Sequence, residues 1–184
     1  MGAAGMMVAT VTMALPARAD TCAASTTCST TVTFTVAAPS GLAITVPDGP
    51  VNLGGGQPGG QISGQLGPVT VVDQRAALNG TWTASVVSTS GAFTTGGGTT
   101  AETIPNTAVL YWSGPAVNTT GTGTFVPGQL NAAAAQTLAV TRTAFAKTSG
   151  SGNNSATWNP TIVINIPEQA VEGTYTGTIN HSVA

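Results

Sequence analysis

An all-β fold, an antiparallel β-sandwich of immunoglobulin-like kind, is predicted from three features of the sequence. Apolar residues alternate at period two in many short runs, turn residues separate almost all of those runs, and helical character is confined to four alanines. The runs come in order. Val32, Phe34 and Val36 face one way and three threonines the other, so residues 31–36 are expected to form the first strand. Leu42, Ile44 and Val46 alternate next, then Val69 and Val71, then Trp82, Ala84 and Val86. Val109 with Tyr111, Leu138 with Val140, and Ile162, Ile164 and Ile166 continue the series. Tyr175, Gly177, Ile179, His181 and Val183 close it against Thr174, Thr176, Thr178, Asn180 and Ser182. Such alternation marks strands with one face buried and one wet.

The turns are equally legible: Pro47-Asp48-Gly49-Pro50, residues 54–60, Asn79-Gly80, Gly96-Gly97-Gly98, residues 149–154 and residues 167–173. Residues 132–135 are far too few for an isolated helix, and one turn is expected there. No linker or repeat divides the chain, so residues 31–184 are read as one sandwich domain.

Composition narrows the function. Charged residues make up 5% of the chain, against about 25% in an average soluble domain. Four Lys and Arg cannot build a basic patch, which argues against nucleic acid as a partner. The 41% of hydrophobic residues also departs from the signature of disorder.

An apolar run from Met6 to Leu15, broken by Pro16 and followed by Ala17-Arg18-Ala19, reads as an export signal over residues 1–19. No later stretch reaches the ~18 apolar residues of a membrane span, so membrane insertion is not expected and an extracellular or wall-associated location is. Residues 20–30 form an N-terminal arm holding Cys22 and Cys28. In an exported protein that close pair is best read as a disulfide, and a metal site would need more ligands.

Catalysis is not expected, and neither is a cofactor. A serine triad would have to use His181, the one histidine, which shares a strand face with Ile179 and Val183 and reads as a packing residue. Asp73 has Arg75 two positions on, which reads as an ion pair rather than half of a glycosidase carboxylate pair. Gly54-Gly55-Gly56-Gln57-Pro58-Gly59 fits a dinucleotide fingerprint, but Gly64, Gly67 and Pro68 leave no room for the helix that must follow. Among the aromatics, Trp82 reads as core; one of Tyr111 and Trp112 must face outward, and Trp158 fits either place.

Several short motifs then fall in a telling order. Val46-Pro47-Asp48 is followed by Leu53-Gly54, by Val71-Val72-Asp73-Gln74-Arg75, by Gly80-Thr81-Trp82-Thr83-Ala84, and by Glu172-Gly173-Thr174-Tyr175 leading to His181-Ser182-Val183. This order resembles the WxL-domain surface proteins of Gram-positive bacteria, over residues 42–184. The family's first Trp-x-Leu corresponds to Trp82-Thr83-Ala84 and its second to His181-Ser182-Val183, so both copies are eroded. The resemblance implies a motif built on Asp73, Arg75, Trp82, Ala84, Tyr175, His181 and Val183. It also implies non-covalent attachment to peptidoglycan. The expected partner is therefore a cell-wall polymer or an envelope protein. The alternative is a homo-oligomeric structural subunit whose copies join by strand pairing, since few charges guard the strand edges.

Overall fold

The computed structural model describes residues 23–38 and 41–184. The chain divides into two compact units, Met1–Val36 and Ala37–Ala184. In the first, Thr26 closes a turn on Ala23 O through its N–H at 3.2 Å and its hydroxyl at 2.7 Å. Chain without regular secondary structure or a ladder partner follows. The strand expected over residues 31–36 is therefore not formed. Val32, Phe34 and Val36 are 78%, 85% and 77% exposed. Alternation gives a segment the capacity to pair, but a strand exists only where a second edge meets it. The expected export signal and Cys22 lie outside the described residues. Cys28 is not a free thiol.

The second unit is built from antiparallel strands: β1 (Leu42–Thr45), β2 (Gln61–Gln65), β3 (Val69–Asp73), β4 (Trp82–Thr94), β5 (Thr103–Ile104), β6 (Val109–Trp112), β7 (Ala116–Thr120), β8 (Phe125–Pro127), β9 (Gln136–Thr137), β10 (Arg142–Lys147), β11 (Asn154–Trp158), β12 (Thr161–Asn165) and β13 (Thr176–Val183). The four-alanine stretch makes one 3-10 turn, Ala132–Ala134, capped by the Asn131 side chain, as the sequence predicts.

Three sheets form, with orders β1-β3-β11-β7, β2-β12-β6-β9 and β13-β4-β10-β8, the last also holding β5 against β4. The first two are halves of one bent layer. Strands β2, β12 and β6 lie side by side in one, and their chain neighbours β3, β11 and β7 lie in the same order in the other. The chain crosses the bend at Gly67-Pro68, Gly114-Pro115 and Asn159-Pro160. Proline lacks the N–H a ladder needs, so three prolines in line interrupt all three strands at one level. Gly67 and Gly114 take φ of +98° and +71°, which an L side chain rarely adopts. Pairing is restored across the break by Leu66 N–H donating to Pro160 O at 2.9 Å and Gly67 N–H to Asn159 Oδ1 at 3.1 Å.

The core lies between this bent layer and the third sheet. Val69, Val71, Ala156 and Trp158 enter from the first half, Val109, Tyr111, Ile162 and Ile164 from the second, and Trp82, Ala84, Val86 and Phe145 from the facing sheet. Phe145 and Trp158 stack across the gap with ring centroids 4.9 Å apart. Trp158 is thus core, and in the Tyr111–Trp112 pair tyrosine is buried while tryptophan is half-exposed.

The alternation of Leu138 and Val140 misleads. Strand β9 ends at Thr137 and a turn follows. Leu138 is buried because its N–H donates to Val109 O at 2.9 Å and its carbonyl accepts from Ser88 N at 3.3 Å, so the residue steps from one layer to the other. Val140 beyond it is 54% exposed.

Candidate functional site

Asp73 is the last residue of β3 and pairs in register with Asn154, the first residue of β11. The residue is 1% exposed and its carboxylate receives Arg75 three times, from the backbone N–H at 3.1 Å and Nε at 2.8 Å on Oδ1 and from Nη2 at 3.0 Å on Oδ2. The Arg75 guanidinium holds the Asp73 carboxyl at about 2, against the desolvation that would raise it. Asn154 adds Nδ2–H to Oδ2 at 3.3 Å and accepts the Trp82 indole N–H on its own Oδ1 at 2.9 Å.

Opposite Trp82 on β10 stands Lys147, also 1% exposed, whose Nζ donates to Gly80 O and to Gly150 O. Three further bonds lace the neighbouring turns: Ala76 N to Asn153 Oδ1, Asn79 N to Ser151 Oγ, and Gly152 N to Ala77 O. The ion pair expected between Asp73 and Arg75 is present. Its carboxylate is fully engaged and ionised, so it holds two loops together and has no proton to transfer.

The remaining motif residues gather elsewhere. Ala84 of β4 pairs in register with Val183 of β13, and His181 with Val86, so the two Trp-x-Leu-like segments lie on adjacent antiparallel strands. His181 faces inward, as the alternation predicts. Its ring lies 5.8 Å from that of Tyr111, with Nε2 3.4 Å from the phenolic oxygen. Desolvation lowers the His181 pKa to about 4, leaving a neutral ring able to accept from Tyr111. Burial raises the Tyr111 hydroxyl, which itself accepts the Trp158 indole N–H at 3.1 Å. Tyr175 is separate: its hydroxyl lies 2.9 Å from Val171 O and 3.0 Å from Ala101 O, pinning the loop before β13.

Sequence reasoning missed Asn154 and Lys147. Both sit beside glycine-rich turns, and only the register of β11 and β10 brings them to Asp73 and Trp82. Among the described residues no three of His, Cys, Asp and Glu gather as metal ligands would.

Two surfaces remain available for binding. On the outer face of the first sheet, registered neighbours form a row: Thr45 on β1, Thr70 on β3, Thr157 on β11 and Asn118 on β7. Thr70 and Thr157 hydroxyls are 2.9 Å apart, and Thr120 and Ser155 in the adjoining row are 2.7 Å apart. Strands repeat every ~4.8 Å, so these side chains make an uncharged array of hydroxyls and one amide, with Ala43 and Val72 completing the adjoining row. The second surface is a groove of about 320 Å³ between β13 and the chain of residues 46–53, with Leu53, Leu66, Phe93, Ile162 and Ile179 in its walls. Among the described residues β13 pairs only with β4 and β1 only with β3, so both present a free edge.

Comparison with family models, with curated proteins and with solved structures finds no match to this chain.

Proposed function

We propose that this chain is an exported, non-enzymatic module of the cell envelope that binds a cell-wall polymer through uncharged contacts, with Cys22 and Cys28 bridged in its N-terminal arm. The observation that carries the reading is the hydroxyl and amide row Thr45, Thr70, Thr157 and Asn118 on the outer face of the first sheet. A neutral glycan strand offers hydroxyls and amides at repeating distances, and such a row meets them by hydrogen bonds. Part of the scarce charge is spent inside: Asp73 and Lys147 are buried, and Arg75 is bound to Asp73. The motif order shared with WxL-domain proteins favours peptidoglycan within that ligand class. The non-enzymatic reading is supported by a carboxylate locked by arginine and a histidine packed at a tilt against tyrosine.

The test is co-sedimentation of the secreted protein with wall sacculi stripped of protein. Binding is expected, and it is expected to fall when Thr70 and Thr157 are both replaced by valine while the fold is kept. Sedimentation unaffected by that pair would remove the sheet face from the reading.

A second reading is favoured by a different observation. The uncharged, apolar-alternating residues 31–36 stand exposed and unpaired, as a subunit that joins its copies by strand pairing would require.

A further inference from the structure

We infer that residues 31–36 of one copy add as a strand to the free edge of β13 in a second copy, setting Val32, Phe34 and Val36 into its apolar groove. The inference rests on the subunit reading and names its two halves.

The first half is the arm. Three large apolar side chains alternate with Thr31, Thr33 and Thr35, none is covered, and the segment has no ladder partner. Water-exposed apolar side chains at this spacing are what a sheet edge with one dry side accepts. The second half is the edge. Strand β13 alternates exposed and half-buried along its whole length. Its inward residues Gly177, Ile179 and His181 line the groove at every second position. An added strand keeps the same period, so three inward residues of the arm meet the three of β13. Backbone N–H and C=O groups on the outer side of β13 would gain ladder partners at the same time.

The edge lacks the charges and prolines that keep strands apart, although its register with β4 shifts between Gly177 and Ile179. Strand β13 reads Thr-Gly-Thr-Ile-Asn-His-Ser-Val, without charge or proline. The arm is uncharged as well, and His181 is neutral above its lowered pKa. Because arm and groove are different surfaces of one chain, each copy gives one strand and receives another. Contacts of that kind are heterologous and propagate into a filament or close into a ring.

Sedimentation velocity of the secreted protein at rising concentration tests this, together with Phe34→Asp and a labelled peptide of residues 31–36. Phe34 is exposed, so the substitution leaves the sandwich intact. The wild-type mass is expected to grow with concentration beyond one chain while Phe34→Asp stays at one. The peptide should bind Phe34→Asp saturably and shorten the wild-type assemblies. Equal assembly of Phe34→Asp would overturn the arm as the joint but leave a subunit joined through some other contact. A wild-type mass of one chain throughout, with no peptide binding, overturns both this inference and the subunit reading. Peptide binding to Phe34→Asp alongside a monomeric wild type overturns pairing between copies, because the chain's own arm then fills the groove.

Discussion

At the scale of single residues, Trp82 and His181 show how much a side chain owes to what its polar atom meets. The Trp82 ring is 2% exposed and its N–H is taken by Asn154. Trp82→Ala is therefore expected to cost about 3–5 kcal/mol in denaturant unfolding. Trp82→Phe keeps most of the packing but strands Asn154 Oδ1, at about 1–3 kcal/mol. His181 gives a pH dependence with a definite sign. Its pKa falls from the ordinary 6.5 to about 4 on folding, so the unfolded chain binds the proton first as pH drops. Stability is full above the ordinary value and is lost as pH falls toward 4. Asp73, lowered from 3.8 to about 2, extends the loss below that window with the same sign. Unfolding free energy measured against pH should decline through the histidine window in the wild type. His181→Gln should flatten that part of the curve; an unchanged slope would assign it to other groups.

At the scale of elements, the legible strands are those with one clearly apolar face. Strands β3, β4, β12 and β13 include the runs where alternation places them: β3 buries every second residue, β4 buries Trp82, Ala84 and Val86, β12 buries Ile162 and Ile164, and β13 alternates half-buried with exposed. Strand β2, with Gln61, Ser63 and Gln65 on its exposed positions and a glycine between, carries too little apolar signal to be seen. Strand β7, Ala-Val-Asn-Thr-Thr, is exposed along four of its five residues and is equally silent. Both lie at the edge of a sheet, where a ladder on one side is enough to hold polar chain in place. The bend also belongs to this scale. Prolines 68, 115 and 160 are far apart in the sequence, and only register puts them abreast. Thr70→Val with Thr157→Val tests the face beyond the bend: a loss of about 1 kcal/mol is expected for this half-buried bond. Wall binding should fall far more, and a collapse of stability instead would mark the row as structural.

At the scale of the molecule, the two units make separate demands. The sandwich of residues 37–184 draws its core from its own three sheets, so removing residues 1–36 should leave its unfolding free energy within about 0.5 kcal/mol. Self-association, in contrast, should disappear with the arm. A large loss of stability on removal would show the arm to be part of the fold. Wall binding, resting on hydroxyls and amides, should change little between low and high salt, since only contacts made by charge are screened within about 10 Å at 0.1 M. A steep salt dependence would point to the few remaining charges and away from the sheet face.

What the sequence determines by itself is what can be read within a few residues: strand alternation, turn chemistry, the scarcity of charge, and the adjacency of Asp73 and Arg75 along the chain. Each of these is local, and local patterns state which face a residue prefers. Tertiary structure alone decides which edges meet. It places Asn154 and Lys147 beside Asp73 and Trp82, lines up three distant prolines into one bend, and sets Thr45, Thr70, Thr157 and Asn118 in a row. It also leaves residues 31–36, as good a strand pattern as any in the chain, without a partner. Pairing joins residues far apart in sequence, and no period within a segment specifies the edge that will receive it.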